Sequence, residues 1–494
     1  MREDALSGPS LGYPDSHSFP SSFRDPGGRL VSLPGRILRT VNSSGLGDLS
    51  AFLASETCRK FVAAGRVVRT EVVDMDRAGH PDSDIGDLVR QPGVEMLVEH
   101  EKLRFPSFPY EWAPEMLCAA GRLTLDLAEE LLADGFGLKD ATPYNVLFRG
   151  AQPVFVDVLS FERRDRGDAT WLPYAQFIRT FLLPSLANKY LGLRLDQTLL
   201  SSRDGLEPES VYRWLKASQK VRPPFLGLVS LPTWLASKGN SSGIYRKKSL
   251  TDPEKAKFIL NALFRGLRRS LERVEPSEGA KSKWSNYLKE NTYSGDQFVA
   301  KERFIEDVLA RFAPRRVLDV GCNTGHFSLM AARSGASVVA IDTDPVVVGA
   351  LWRKGYCEGL DILPLAVDLT RPSPPTGWRN LECRSFLDRA RGSFDAVFML
   401  AVVHHMLVGE RVPIDEILDV AAELTRELLV IEYVGPEDSM FRCLARGRDE
   451  LHRGLSHQVF EESCLRRFDI VRSQWLGGDR RLYLLCKKTS GSTN

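Results

Sequence analysis

Arg316–Leu329 reads RVLDVGCNTGHFSL. Val317, Leu318 and Val320 form a short apolar run, and Gly321 and Gly325 bracket the turn after it. Phe327–Arg333 then has helical spacing, so the stretch is strand, glycine turn, helix, the opening of a nucleotide-binding βαβ unit. Glycine allows positive φ and leaves room for a ligand against the main chain. A second run, Ser337–Ile341, closes on Asp342. That carboxylate stands about 20 residues past the turn, where such a unit meets ribose hydroxyls.

A dinucleotide fingerprint needs G-x-G-x-x-G so that pyrophosphate can sit on the helix N-terminus. Counted from Gly321, the second and third glycines fall at Asn323 and His326, so both are missing. The D-x-G-x-x-x-G form of Asp319, Gly321 and Gly325 suits a ligand without phosphates, whose amino-acid part lies over the turn. S-adenosylmethionine is such a ligand. Asn323 can replace a middle glycine because Asn tolerates the left-handed region. Taken by itself the turn is also compatible with an ordinary strand-to-helix connection.

The pattern continues downstream. Helix Val346–Lys354 leads to the run Ile362–Val367 and then Asp368, placed to accept from an adenine amino group. Phe394–Leu400 is continuous in apolar residues apart from Asp395, as a parallel strand covered on both faces should be. It runs through Ala401-Val402-Val403 into His404 and His405. Helix Ile414–Leu424, strand Leu428–Ile431 with Glu432 after it, and a pair Ile470–Ser473 and Tyr483–Cys486 joined through Gly477-Gly478 complete the set. The expected fold is α/β: a C-terminal seven-stranded doubly wound, Rossmann-like sheet. Ligands of such sheets bind at the carboxyl ends of the strands. Asp319, Gly321, Asp342, Asp368, Leu400–His405 and Glu432 all fall at or near that edge.

These motifs resemble class I S-adenosylmethionine-dependent methyltransferases. More narrowly, GCNTGHFS, AIDTDP, DLTRPSPPTGW and LAVVHH resemble the nodulation-protein-like methyltransferases, in which an N-terminal region precedes the same domain. The resemblance implies S-adenosyl-L-methionine as cofactor, with Asp319, Gly321, Asn323, Gly325, Asp342, Asp368 and Leu400 as its binding residues and no metal. Methyl transfer from a sulfonium is an in-line displacement, in which alignment supplies on the order of 7–11 kcal/mol. A base is needed only where the acceptor must lose a proton. His404 and His405 stand where such enzymes meet substrate and are the candidate catalytic residues; the alternatives are a helix start or a contact to adenosine. The D/N-P-P-Y/F tetrad of adenine-amino methyltransferases is absent. This argues against nucleobase-amine chemistry; the acceptor is unidentified from sequence, and the expectation is oxygen on a small molecule or saccharide.

Working towards the N-terminus, Glu275–Lys283 is a polar linker and marks the domain boundary. The expected division is 1–28 disordered, 29–275 an accessory or kinase-like domain, 276–300 linker and lid, and 301–494 the methyltransferase domain. Trp284, Tyr287, Tyr293 and Phe298 are either a lid over the cofactor or ordinary packing. The earlier part reads as α+β: strands at Ile37–Val41, Arg66–Val73 and Val94–Val98, a helix at Leu49–Ala63, and a buried helix at Glu111–Asp134. Asp140-x4-Asn145 followed by Asp157 resembles the catalytic and metal-binding loops of the kinase and aminoglycoside phosphotransferase superfamily. Lys139-Asp140 replaces H-x-D, and no glycine-rich loop precedes it. The other reading is a turn capped by Asp140 and Asn145. Pro253–Arg273 is a strong helix with Phe258, Ile259, Leu260, Leu263, Leu267 and Leu271 on one side and arginines on the other.

Across 494 residues, 66 Lys+Arg stand against 64 Asp+Glu, so no global charge argues for nucleic acid or anionic membrane. The eight cysteines are scattered without a C-x-x-C pair, which fits a reducing cytoplasm and argues against zinc. No apolar stretch is long enough to span a bilayer. Two alternatives of different class stand beside the methyltransferase: a bifunctional protein with a phosphotransferase half, and a non-enzymatic cofactor-binding regulator. The oligomeric state is left open.

Overall fold

The computed structural model describes residues 20–22, 24–78, 85–236, 250–277, 295–447, 450 and 454–488. The C-terminal part is a seven-stranded sheet of β10 (Arg316–Val320), β11 (Ser337–Asp342), β12 (Ile362–Ala366), β13 (Phe394–Met399), β14 (Thr425–Val434), β15 (Phe468–Gly477) and β16 (Arg480–Lys487). The order is β12-β11-β10-β13-β14-β16-β15. β10 to β14 run parallel, and β16 is antiparallel to both β14 and β15. The order reverses between β10 and β13, which is where ligands of such sheets lie.

Continuous apolar runs are what two covered faces require. Leu318, Val320, Val339, Ile341, Val397, Met399, Leu429 and Ile431 pack on one side, with helix Ile414–Leu424 and the N-terminal half. Val317, Val338, Ala340, Ala396, Phe398, Leu428 and Val430 alternate with them and pack against helices Gly295–Phe312 and His326–Arg333.

The N-terminal half begins with an antiparallel sheet of order β1-β2-β3-β5-β4, formed by Pro20–Ser22, Gly28–Leu33, Arg36–Val41, Met96–His100 and Thr70–Val72 respectively. Buried helix Pro114–Leu131 follows, then two small hairpin-like pairs, β6 (Phe136–Leu138) with β9 (Phe161–Arg163) and β7 (Val146–Arg149) with β8 (Gln152–Phe155). Its core is continuous with the first face of the large sheet, so Phe52, Met116 and Phe155 share one apolar cluster with Trp352 and Phe386. Gly349 lets two helices meet there: a Cβ at this position would stand 2.3 Å from the Glu115 carboxylate. Trp352 donates from Nε1 to the Ala151 carbonyl at 2.9 Å across the same seam.

Several local expectations change. Residues 20–22 and 28, read as disordered, pair in β1 and β2, while 1–19 and 23 lie outside the described residues. The helix expected at 49–63 is two, Ser43–Ala54 and Glu56–Ala63, because the Ser55 hydroxyl accepts the Cys58 amide at 3.0 Å and starts the second. Of the run 66–73 only Thr70–Val72 joins the sheet; Val68 instead bonds the Phe155 carbonyl at 2.9 Å. Helix Pro253–Val274 buries Leu260, Phe264, Leu267 and Leu271, but Phe258 and Ile259 are exposed. Its Arg268 is turned onto Asp126 and Glu129 of the neighbouring helix. Helix Gly295–Phe312 begins inside the stretch read as linker and lid. Trp284, Tyr287 and Tyr293 lie outside the described residues.

Candidate active site

A cavity of about 380 Å³ opens at the carboxyl ends of β10, β11, β12 and β13. Every residue that lines it falls between Phe298 and Leu444, so the described N-terminal half contributes none.

The glycine turn forms its floor. Gly321 has φ +72, and its amide and that of Cys322 donate to the Ile341 carbonyl at 2.8 and 3.0 Å. A Cβ on Gly321 would stand 2.9 Å from Val402 Cγ2, so the turn and the loop after β13 approach as closely as glycine permits. Asn323 does take the left-handed conformation, at φ +51, and its Oδ1 accepts the Thr324 amide. Gly325 plays a different part from that expected. It does not line the cavity; its missing side chain makes room for Leu351, whose Cδ1 would be 2.2 Å from a Cβ.

Asp342 ties the turn to the second strand. Oδ2 accepts the Asn323 amide at 2.9 Å, and Oδ1 the Asp344 amide at 3.0 Å. Burial pushes its carboxyl above the usual range. Asp319 is buried and accepts the Ser328 hydroxyl at 2.6 Å, yet burial still pushes it up to about 6. Asp368 accepts the Thr370 amide and hydroxyl on Oδ1 at 2.9 and 2.6 Å. With Glu410, four carboxylates line the cavity, and Lys301 is the one Lys or Arg among its described lining residues. Burial is the main cause of the shifts at Asp319 and Asp342, and a cation bound beside them would favour their ionised forms. A ligand that carries positive charge and a ribose diol fits this wall.

Lys301 escaped the sequence reading, which placed its partner Glu432 at the sheet edge without a role. Lys301 is buried and donates to Glu432 Oε2 at 2.7 Å; Arg480 Nη1 lies 3.6 Å from the other oxygen of Glu432. The signal existed, because Lys301 sits at helical spacing with Phe304, Ile305 and Val308 on the buried stripe of its helix. A lysine on such a stripe must have a buried partner. The same helix brings Phe298 to the mouth, where its ring lies 5.0 Å from His326 and 6.1 Å from Phe327.

The histidine pair is divided. His405 begins the turn His405–Gly409 and lines the cavity with Leu400, Ala401 and Met406. His404 is 2 % exposed, does not line it, and has no hydrogen-bond partner on either ring nitrogen among the described residues. Burial, helped by His405, Arg480 and Lys301, holds it neutral, well below the usual imidazole range. A neutral imidazole packed away from the cavity cannot reach an acceptor proton, so only His405 keeps the position expected of the pair.

Residues 294–466 match a family model described as a methyltransferase domain. The C-terminal domain is an S-adenosylmethionine-dependent methyltransferase. Over 465 residues the chain is 29% identical to nodulation protein NoeA of Rhizobium meliloti (strain 1021), covering 93% of this chain and 94% of that protein. Among solved structures it is similar to magnesium protoporphyrin IX methyltransferase from Synechocystis PCC 6803, at 17% identity, covering 42% of this chain and 92% of that one with a TM-score of 0.31. The bifunctional kinase-methyltransferase WbdD is 17% identical over 41% of each chain, with a TM-score of 0.28.

Away from the methyltransferase domain, the kinase-like element is built as loop, strand, turn, strand. Asp157, just past β8, lies 3.0 Å from Arg39 Nη1 of β3. Burial raises its carboxyl, with Arg39 opposing. Asp140 accepts Gln176 Nε2 at 3.3 Å, and Thr142, not Asp140 or Asn145, supplies the side-chain cap of the turn Pro143–Asn145.

Proposed function

We propose that the methyltransferase domain acts on an oxygen of a small molecule or saccharide, and that His405 takes the acceptor's proton. The observation that carries this reading is His405 on the cavity wall just past β13, beside the close-packed Gly321–Val402 contact. S-adenosylmethionine supplies a methyl group on a sulfonium open to displacement. Asp342 and the Gly321–Asn323 turn are assigned to its ribose and amino-acid parts, and Lys301 to its carboxylate. Asp319 and Asp342 compensate its positive charge, which supports binding of the sulfonium form. Phe298, Phe327 and Met406 narrow the mouth and exclude water from the reacting atoms.

The reading keeps the domain division at residues 29–275 and 301–494 and a reducing cytoplasmic setting, which cysteines scattered without a C-x-x-C pair support. The test is incubation of the full chain with labelled cofactor and fractionated small-molecule and saccharide extracts. A one-methyl mass increase on a hydroxyl supports it. Transfer only to nitrogen or to RNA overturns it.

A phosphotransferase half remains a second reading because Asp140, Asn145 and Asp157 keep their order. The Arg39–Asp157 ion pair weighs against it, since the carboxylate that would hold a metal already has a cation.

A further inference from the structure

The two loops that carry Asp342 and Asp368 are held from behind by the N-terminal half. Arg194, at the start of helix Leu195–Leu199, donates from Nη1 to the carbonyl of Thr343 at 2.8 Å. Thr343 lines the cavity next to Asp342. The chain that leaves Asp368 and Thr370 runs on to Ser373, whose hydroxyl donates to Glu111 Oε1. Glu111 also takes a guanidinium N–H of Arg389, while its Oε2 accepts the Phe108 amide at 3.0 Å. Glu111 and Arg389 are buried, with Phe105, Phe108 and Phe386 around the guanidinium at 4.8–5.7 Å. Farther along the same connection, Glu382 is taken by Arg24 and Arg203 of the N-terminal half.

We propose that the N-terminal half is a positioning element for the cofactor, with Arg194, Glu111 and Ser373 fixing the ribose and adenine loops before the ligand arrives. A loop ordered in advance loses less entropy on binding, so affinity rises without any new contact to the ligand. The brace reaches only the adenosine side. Among the described residues the mouth is formed by Phe298, His326, Phe327, Met406, Glu410 and Leu444, all of the methyltransferase domain. The N-terminal half therefore acts on cofactor affinity and leaves acceptor contacts untouched.

The test uses the full chain and calorimetric titration with S-adenosylhomocysteine. Arg194→Ala and Ser373→Ala should each weaken binding about 2- to 10-fold, the worth of one hydrogen bond. The double variant should approach the product of the two, and Arg194→Lys, which keeps a donor, should recover most of the affinity. The Arg194 side chain is 36 % exposed, so its truncation leaves the fold intact and carries the test alone if the double variant does not fold. Wild-type affinity in a folded Arg194→Ala and double variant overturns the brace while leaving the cofactor assignment standing. Failure of the wild-type chain to bind overturns the cofactor assignment, and the brace with it. An equal loss in Arg194→Ala and Arg194→Lys also overturns it, because the donated bond would not be the cause.

Discussion

The amide of Asn323 donates to Oδ2 of Asp342 at 2.9 Å, so the carboxylate assigned to ribose also pins the glycine turn. Its other oxygen holds the Asp344 amide, which opens the next helix. Removal of this carboxylate should act on ligand and fold together. Asp342→Ala is expected to weaken S-adenosylhomocysteine binding by roughly 1.5–3 kcal/mol, the worth of hydrogen bonds to a charged group, and to lower the melting temperature. Asp342→Asn keeps an acceptor for one amide and should recover stability more than affinity. Calorimetry beside thermal denaturation separates the two effects. Unchanged affinity in both variants sinks the ribose assignment.

Asp319 gives the site a pH dependence. Its carboxyl is pushed up to about 6 from 3.8 by burial, so the fold favours the protonated form more than the unfolded chain does. That contribution to stability is fully present below 3.8 and is lost as pH rises through about 6; it amounts to about 3 kcal/mol. A cationic ligand prefers the ionised form. Affinity for S-adenosylmethionine should therefore fall as pH drops below about 6, with proton release on binding. Asp319→Asn should flatten this profile and weaken binding at neutral pH. Calorimetry across pH 5–8 checks it, and a profile unchanged in the variant removes Asp319 from the account.

The methyltransferase domain was legible because its signals are local. Parallel strands covered on both faces make runs such as Ala396–Leu400, and the turn with its carboxylates spans fewer than 30 residues of sequence. Lys301 with Glu432, and Arg389 with Glu111, join positions far apart in the chain, and single-sequence periodicity has no term for such pairs. The orientation of His404 against His405 was equally out of reach, because the backbone turn that follows them decides which ring faces the cavity. In the N-terminal half, a β-branched run such as 66–73 reads as one strand, but Val68 is diverted to Phe155 by tertiary packing.

The N-terminal half should not bind ATP–magnesium. Arg39 is already paired to Asp157 at 3.0 Å, with the Arg39 side chain 6 % exposed. The pair should instead be structural. Arg39→Ala would leave a carboxylate without its cation; a fully buried pair costs about 3–5 kcal/mol when broken, and Asp157, at 21 % exposed, puts the loss near about 3 kcal/mol. Chemical denaturation measures this. A thermal shift with ATP–magnesium that vanishes in Asp157→Asn would instead revive the phosphotransferase reading.

The two histidines should separate in a single variant series. If His405 takes the acceptor's proton, His405→Ala should reduce turnover about 10²–10⁴-fold, the usual contribution of general-base catalysis, while S-adenosylhomocysteine affinity stays near wild type. His404 should behave in the opposite way. Its ring has two buried nitrogens without partners among the described residues, so His404→Leu removes an unsatisfied polar group at similar volume and should be neutral or stabilising at pH 7. Because its folded-state pKa lies well below 6.5, the unfolded chain takes up the proton first. Stability then falls as pH drops below about 6.5, and His404→Leu should reduce that loss. Denaturation at pH 5 and pH 7 reads the second effect, and kinetics with an identified acceptor reads the first. Normal turnover in His405→Ala at saturating cofactor would end the base assignment, whatever His404 does.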